Sequence, residues 1–413
     1  MNDSYFLEYM NSKVKLFRRL ECRVVDIFFF ICVTVAAVAL RFSLRETVSG
    51  DYVNFLKPWY DQIKGIGWSA LGQNIGDYSP LYMYFFTLFT FLPLDSLAAI
   101  KLLTVLFDFV AAGLLFAIVY RFSHSFYKAT AAWGALLFLP SVVLNGAVWA
   151  QCDIIYTLFL LLSFDLVSRD RPVAGCVAFG VSFCFKLQSV FFLPILLIYW
   201  LKGKIRFYDL FLVPACYLIS VVPALLAGRS PVDVLTIYFQ QAGTYTGGLT
   251  YNFPNIYHLV GNVYLQYMGT GAVLLTLALL AFLFYFVFRY RFRLTYELGL
   301  LLSVFVLLLI PYFLPYMHER YAFPADVFAL LLFLCYKRYF WVLLSTQLLT
   351  VLAYQPFLFQ NVTISHSIVA VAYLVFLGVL ARVIYKRIQA SPPEPEAQAG
   401  EAAEPPAPAA DAG

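Results

Sequence analysis

The chain has 413 residues, 62% hydrophobic and 12% charged, with a mean hydropathy of +0.80. A soluble domain carries about 25% charged residues, so most of this chain must face lipid or pack inside a membrane bundle. The net charge of +5 is small and dispersed, which argues against nucleic acid as a partner, and the seven cysteines include no C-x-x-C pair, so neither a zinc site nor a disulfide framework is indicated.

Residues 1–23 form a basic N-terminus, with Lys13, Lys15, Arg18, Arg19 and Arg23 ahead of the first apolar run. No small-residue cleavage site ends that run, so an uncleaved membrane helix is expected rather than a signal peptide. A spanning helix needs about 20 apolar residues. Runs of that length, or nearly so, begin near Val24, Leu97, Ala129, Ile154, Pro172, Ser189, Tyr208, Gly271, Leu298, Ala322, Phe340 and Ser367. Residues 24–390 are therefore expected to form one all-α polytopic domain of about twelve spans, the runs at Ile154, Pro172 and Ser189 being short.

Basic residues fall at every second junction: Arg121 and Lys128, Arg169 and Arg171, Lys202 to Arg206, Arg289 to Arg293, Lys337 and Arg338, Lys386 and Arg387. This is a positive-inside pattern and places both termini in the cytoplasm. Arg41 and Arg45 break it on the outer side.

The opposite, extracytoplasmic face holds two long loops, residues 43–96 and 228–269, and two shorter segments, "NGAVWAQCD" and "PYMHERYAFP". Loops longer than about 12–15 residues are usually functional or disordered, and these are too aromatic for disorder. The tail, residues 391–413, is essentially Pro, Ala and Glu and reads as a disordered cytoplasmic extension.

Asp51, Lys57, Asp61, Asp77, Asp153, Arg229, His258, His318, Glu319 and Arg320 come from distant parts of the chain, yet topology puts them at one surface. Each has a plainer reading. Asp51 and Asp153 are each placed to cap a following helix through free N–H groups. Asp61 and Lys64 fit a solvated helix face, and His318 an interfacial anchor. Three adjacent ionisable groups at a membrane end, His318, Glu319 and Arg320, are costly unless paired or used. Inside predicted spans lie Asp108, Lys186 and Asp326; for Asp108 an internal ion pair with a lysine is the expected role. Val53, Leu56, Trp59, Tyr60 and Ile63 recur at helical spacing, and Trp and Tyr favour the headgroup region. An amphipathic helix along the outer leaflet is expected, with Asp51 at its start.

These segments resemble the GT-C glycosyltransferases, which use polyprenyl-phosphate sugars, and among them the bacterial proteins related to the GPI mannosyltransferases, with the dolichol-linked glucosyltransferases as cousins. Asp51, Trp59 and "GDYSPLYMY" match the family's first luminal loop in order and spacing, with Ser79 for a proline. "WAQCD" resembles its Trp-Gly-Gln-x-Asp turn with Ala150 for glycine, "FKLQS" its Phe-Lys-Gln segment, and "MHERYAFP" its His-Glu-Lys/Arg block. The resemblance implies an inverting hexosyltransferase, mannosyltransferase-like, in which Asp51 is the general base. Arg320 and His318, then Lys186, would supply positive donors to the leaving lipid phosphate. Asp77, Tyr78, Trp59, Gln151, Asp153 and Glu319 complete the expected substrate contacts. The implied partners are a polyprenyl-phosphate-linked sugar donor, a glycan or glycolipid acceptor and the bilayer. No cofactor is expected; Asp51, Asp77 and Asp153 are the residues that would ligate the divalent metal some GT-C enzymes use. The alternative, a transporter or flippase of lipid-linked sugars, predicts midplane ionisable sites and an internal repeat; no clear repeat is present, and the ionisable groups gather at one surface.

Overall fold

In lipid a backbone must satisfy its own hydrogen bonds, which restricts apolar runs to helices. The computed structural model describes residues 8–17, 20–244, 247–261 and 265–391; Arg18, Arg19 and the tail beyond Ser391 lie outside the described residues. Two short strands, β1 (Lys13–Phe17) and β2 (Leu20–Arg23), pair antiparallel ahead of helix α1 (Val24–Ser43). A π-helical segment, Tyr52–Leu56, leads into α2 (Lys57–Ile66). Then come α3 (Pro80–Thr90), α4 (Ser96–Ser123), α5 (Phe126–Leu137), a second π-helical segment Val143–Val148, α6 (Asp153–Ser168), α7 (Pro172–Phe185) and α8 (Leu193–Leu201). The second half has α9 (Leu212–Leu226), α10 (Pro231–Thr244), β3 (Thr250–Tyr251), α11 (Leu265–Arg289) and α12 (Tyr296–Phe313). It closes with β4 (Met317–His318), α13 (Phe323–Cys335), α14 (Phe340–Leu358) and α15 (His366–Ala390).

A helix stands at each expected run, and the chain is an all-α polytopic membrane protein. The expected count of spans is not reached on length. Among the described residues seven helices are long and apolar enough to cross a membrane, or eight if the bent pair Phe126–Leu137 and Pro140–Val148 is one span. Helices α6, α7 and α13, at 16, 14 and 13 residues, are shorter than a full crossing. Of the three, α13 is the most enclosed; every residue from Phe323 to Leu332 is buried. Hydropathy cannot distinguish a lipid-facing span from a short helix buried in protein. On α1, by contrast, Phe28, Ile31, Val35, Val38 and Phe42 form an exposed apolar strip at helical spacing suited to lipid.

Close helix packing in membranes relies on small residues. Gly175 shows why: a Cβ there would stand 2.3 Å from Val167 Cγ2, so α6 and α7 approach more closely than any side chain permits.

Two charge assignments change. Arg41 is not a loop charge. It is buried in α1, donates to Asp108 Oδ2 from Nε at 3.0 Å and Nη2 at 2.9 Å, and donates to the Leu137 carbonyl at 3.0 Å. The partner of Asp108 is therefore this arginine rather than a lysine, and one exception to the positive-inside pattern is removed. Removing either partner would strand a buried charge, so the pair pins α1 to α4.

The bundle has two chemically distinct ends. At the Ser96 end of α4, Tyr52 Oη and Ser96 Oγ are 2.7 Å apart. At its other end Arg121 pairs with Asp165, as does Arg169. Arg338 and Arg387 converge on Glu297 at the start of α12. Most basic junctions are neutralised at this second end. The long loops and the "WAQCD" and "MHER" segments meet at the first.

Candidate active site

The two long loops are built on helices, which fixes their polar residues. The expected amphipathic helix of the first loop is present, with its apolar face shifted. The π-helical turn over Tyr52–Leu56 places Tyr52 rather than Val53 in line with Leu56, Tyr60 and Ile63; these four are buried and Val53 is 52% exposed. π-turns inside helices are rare and frequent at functional sites. Asp51 is not the cap of this helix. It has helical φ/ψ and makes no cap hydrogen bond. Ser49 does that work: its Oγ accepts from Tyr52 N–H at 3.2 Å and donates to the Trp149 carbonyl at 2.8 Å. The Asp51 carboxylate is thereby left for other partners.

Those partners come from across the bundle. Asp51 Oδ2 accepts from Gln151 Nε2 at 2.6 Å, Trp149 Nε1 at 2.9 Å and Arg320 Nη1 at 3.3 Å. Its Oδ1 has no hydrogen-bond partner among the described residues, and Asp51 lines a cavity of about 580 Å³. Trp149 and Gln151 point to the same carboxylate because Ala150 between them has φ +65. A left-handed turn favours glycine, the residue the resembling family carries there. The turn follows the second π-helical segment.

Asp153 is likewise not a cap. It is the first residue of α6, without a side-chain cap bond, and is 1% exposed. Its Oδ1 pairs with Lys186 Nζ, its Oδ2 accepts from Asn145 Nδ2 at 2.8 Å, and Arg320 Nε stands 3.7 Å away. Lys186 occupies the extended break between α7 and the 3-10 turn Leu187–Phe192, with its ammonium 5.6 Å from the Tyr78 ring centroid. Ser79, which stands for a proline in the family pattern, anchors the loop by donating to the Cys184 and Phe185 carbonyls.

Arg320 ties these groups together, reaching Asp51, Asp153 and, at 3.8 Å, Glu319 Oε1. It lies beside β4, which pairs parallel with β3 and so fastens "MHER" to the second long loop. Its guanidinium carbon is 5.4 Å from the Trp149 ring centroid, a cation–π contact. His318 stacks on Tyr251 at 5.1 Å. Burial, then Arg320 and Lys186, push its imidazole down to about 3. In this arrangement the uncharged imidazole is favoured at neutral pH, so of the two first-named donors Arg320 is the one that carries a charge. Asp77 opens to the cavity, yet the surrounding protein raises its carboxyl above the ordinary range, while Arg320 and Lys186 pull the other way. Tyr78 Oη donates to Gln151 Oε1 at 3.2 Å, and Trp59 meets Tyr78 edge to face at 5.8 Å. Gly76 is obligatory here: φ is +70 and a Cβ would lie 2.9 Å from the Trp59 ring.

Nine of the ten sequence-selected residues line the cavity, and Asp153 supports it from beneath Lys186. Other polar candidates do not join them. Lys57 and Asp61 pair at 2.5 Å on an exposed face. Arg229 donates to Asn74 and links the two long loops. His258 packs against His366 at 5.0 Å. Sequence reasoning missed Trp149 and Asn145, although both stand in the quoted "NGAVWAQCD". Among the described residues no group of three His, Cys, Asp or Glu side chains is placed to hold a metal. Asp51 and Asp153 share a cation instead, an arrangement that does not fit a divalent ion between them.

Glu319 is the least compensated group, being 2% exposed with Oε2 unpartnered. Burial pushes it up to about 7 against the pull of Arg320, from about 4.3 in an unfolded chain. The native state then binds more protons than the unfolded state between those values. Stability from this group is full below about pH 4 and is lost as pH rises through about 7. Glu319→Gln should therefore flatten the fall in melting temperature between pH 5 and pH 8, measured by thermal unfolding in detergent. An unchanged pH profile would mean Glu319 is charged throughout.

A family model, glycosyltransferase family 87, matches residues 77–315, more than half of the chain. Asp51 and Trp59 precede the matched region and His318, Glu319 and Arg320 follow it; the fold joins them to the matched part. A comparison with curated proteins gives no match.

Proposed function

Because the chain belongs to glycosyltransferase family 87, a GT-C-type family, and is a membrane glycosyltransferase, we propose that it moves a hexose from a polyprenyl-phosphate donor to a glycan or glycolipid acceptor. The observation that carries this reading is one cavity lined by two kinds of group: Asp51, Asp77, Lys186 and Arg320 are ionisable, and Phe55, Val273, Leu314 and Phe357 are apolar. A carboxylate beside cations, next to apolar surface, suits a donor with a lipid chain, a phosphate and a sugar.

In this mechanism Asp51 Oδ1 takes the acceptor hydroxyl proton as its oxygen attacks the anomeric carbon. The bond from that carbon to the phosphate oxygen breaks, its electron pair stays on the phosphate, and the configuration inverts. Arg320 stabilises the charge that develops on the phosphate, with Lys186 behind it. The site end of the bundle is extracytoplasmic, a reading supported by the basic junctions at the other end: Arg121, Arg169, Arg338 and Arg387. Both termini are then cytoplasmic, and the membrane is the plasma membrane.

Purified protein given either a polyprenyl-phosphate hexose or a nucleotide hexose, with a glycolipid acceptor, should transfer only from the lipid-linked donor. Transfer from the nucleotide sugar alone would overturn the donor assignment.

A further inference from the structure

The donors on Asp51 are unequal in a way that separates holding from charging. Arg320 makes the longest bond, 3.3 Å, and also reaches Asp153 and Glu319. It is the group a donor phosphate would draw away. Gln151 at 2.6 Å and Trp149 at 2.9 Å are closer and uncharged. Gln151 is itself held by Tyr78 Oη through Oε1. Trp149 is fully buried, stacks on Phe357 at 4.8 Å and meets Tyr354 edge to face at 5.2 Å. Its ring cannot swing, so its N–H has a fixed direction. The left-handed Ala150 aims that N–H and the Gln151 amide at one oxygen.

We propose that Trp149 is a positioning residue for the reaction: its indole N–H, held by the Phe357–Tyr354 aromatic box, fixes Asp51 by Oδ2 so that Oδ1 alone meets the acceptor hydroxyl. This rests on the reading of Asp51 as general base. Without the N–H, the carboxylate keeps its neighbours but gains rotational freedom, and its ionised form loses one donor. Hydrogen bonds to charged groups contribute about 1.5–3 kcal/mol, so the expected effect is roughly a 10- to 100-fold change.

The experiment compares wild type, Trp149→Phe and Asp51→Asn for sugar transfer from a polyprenyl-phosphate hexose, with kcat and KM measured across the acidic limb as well as the plateau, from about pH 3 to pH 9. Trp149→Phe keeps an aromatic ring against Phe357. It should lower kcat by about 10- to 100-fold with little change in donor KM, and shift the acidic limb of the kcat/KM profile upward. A merely structural role would not move that limb. If Trp149→Phe does not fold, replacing Trp149 by benzothienylalanine, which puts sulfur where the N–H stands and keeps the ring shape, gives the same comparison. Wild-type kcat and pH profile in the folded variant, with Asp51→Asn inactive, overturn the role of Trp149 and leave the base assignment standing. Activity in Asp51→Asn overturns the base assignment itself.

Discussion

Asp51→Asn is expected to abolish sugar transfer while leaving a folded protein. The argument starts from what the substitution preserves. An asparagine carbonyl can still accept from Trp149 Nε1 and Gln151 Nε2, which hold Asp51 Oδ2 at 2.9 and 2.6 Å. Helix start and loop anchoring do not depend on the carboxylate, because Ser49 caps Tyr52. What disappears is the basic oxygen, Oδ1. Loss of a positioned general base costs typically 10²–10⁴-fold, and the drop should appear in kcat with donor binding kept. Asp51→Glu adds a second arm. It retains the base but carries it one methylene further into the cavity, and a displacement of about 1 Å costs on the order of 10²-fold. Transfer assays on both variants, with melting temperatures alongside, check this. A folded Asp51→Asn protein with substantial activity would remove Asp51 from the chemistry.

The site was legible in the sequence to the extent that it depends on topology. Alternating ends of apolar runs bring residues 51, 77, 153 and 320 to one surface whatever the details of packing, and the structure places Asp51, Asp77 and Arg320 in one cavity, with Asp153 beneath it. Three things were hidden. Hydropathy assigns a charge to a loop by its position, so Arg41 read as an outer charge; only the fold shows Asp108 beside it. A π-turn has no sequence signature, so Val53 was placed on the buried face and Asp51 at the cap. Trp149 read as part of a family turn because a buried tryptophan and an interfacial one look alike in sequence. Its N–H direction depends on the Ala150 backbone and on Phe357, more than 200 positions away in the chain. The number of spans is not decided by length alone: α6, α7 and α13 are apolar but short, and α13 is enclosed by protein from Phe323 to Leu332.

Arg320→Ala is expected to cost both stability and donor recognition, and Arg320→Lys to separate the two. In the wild type one guanidinium stands within 4 Å of Asp51, Asp153 and Glu319, at 3.3, 3.7 and 3.8 Å. Removing it leaves Asp153 with Lys186 as its one charged partner among the described residues, and Glu319 with none. Breaking a buried charge network by deleting one member typically costs about 3–5 kcal/mol, so Arg320→Ala should melt well below wild type. Lysine restores a positive charge but not the planar fork that lets arginine engage a phosphate with two parallel N–H groups. Arg320→Lys should therefore recover most of the melting temperature. Its donor KM should stay raised by about 10- to 100-fold, the loss of roughly one charge-assisted bond, with acceptor KM nearly unchanged. Steady-state kinetics in both substrates, with thermal unfolding on the same preparations, read out the split. Wild-type donor KM in Arg320→Lys would place the phosphate elsewhere. Lys186, the next cation lining the cavity, would then be the group to substitute, together with Asp153 so that no buried charge is stranded.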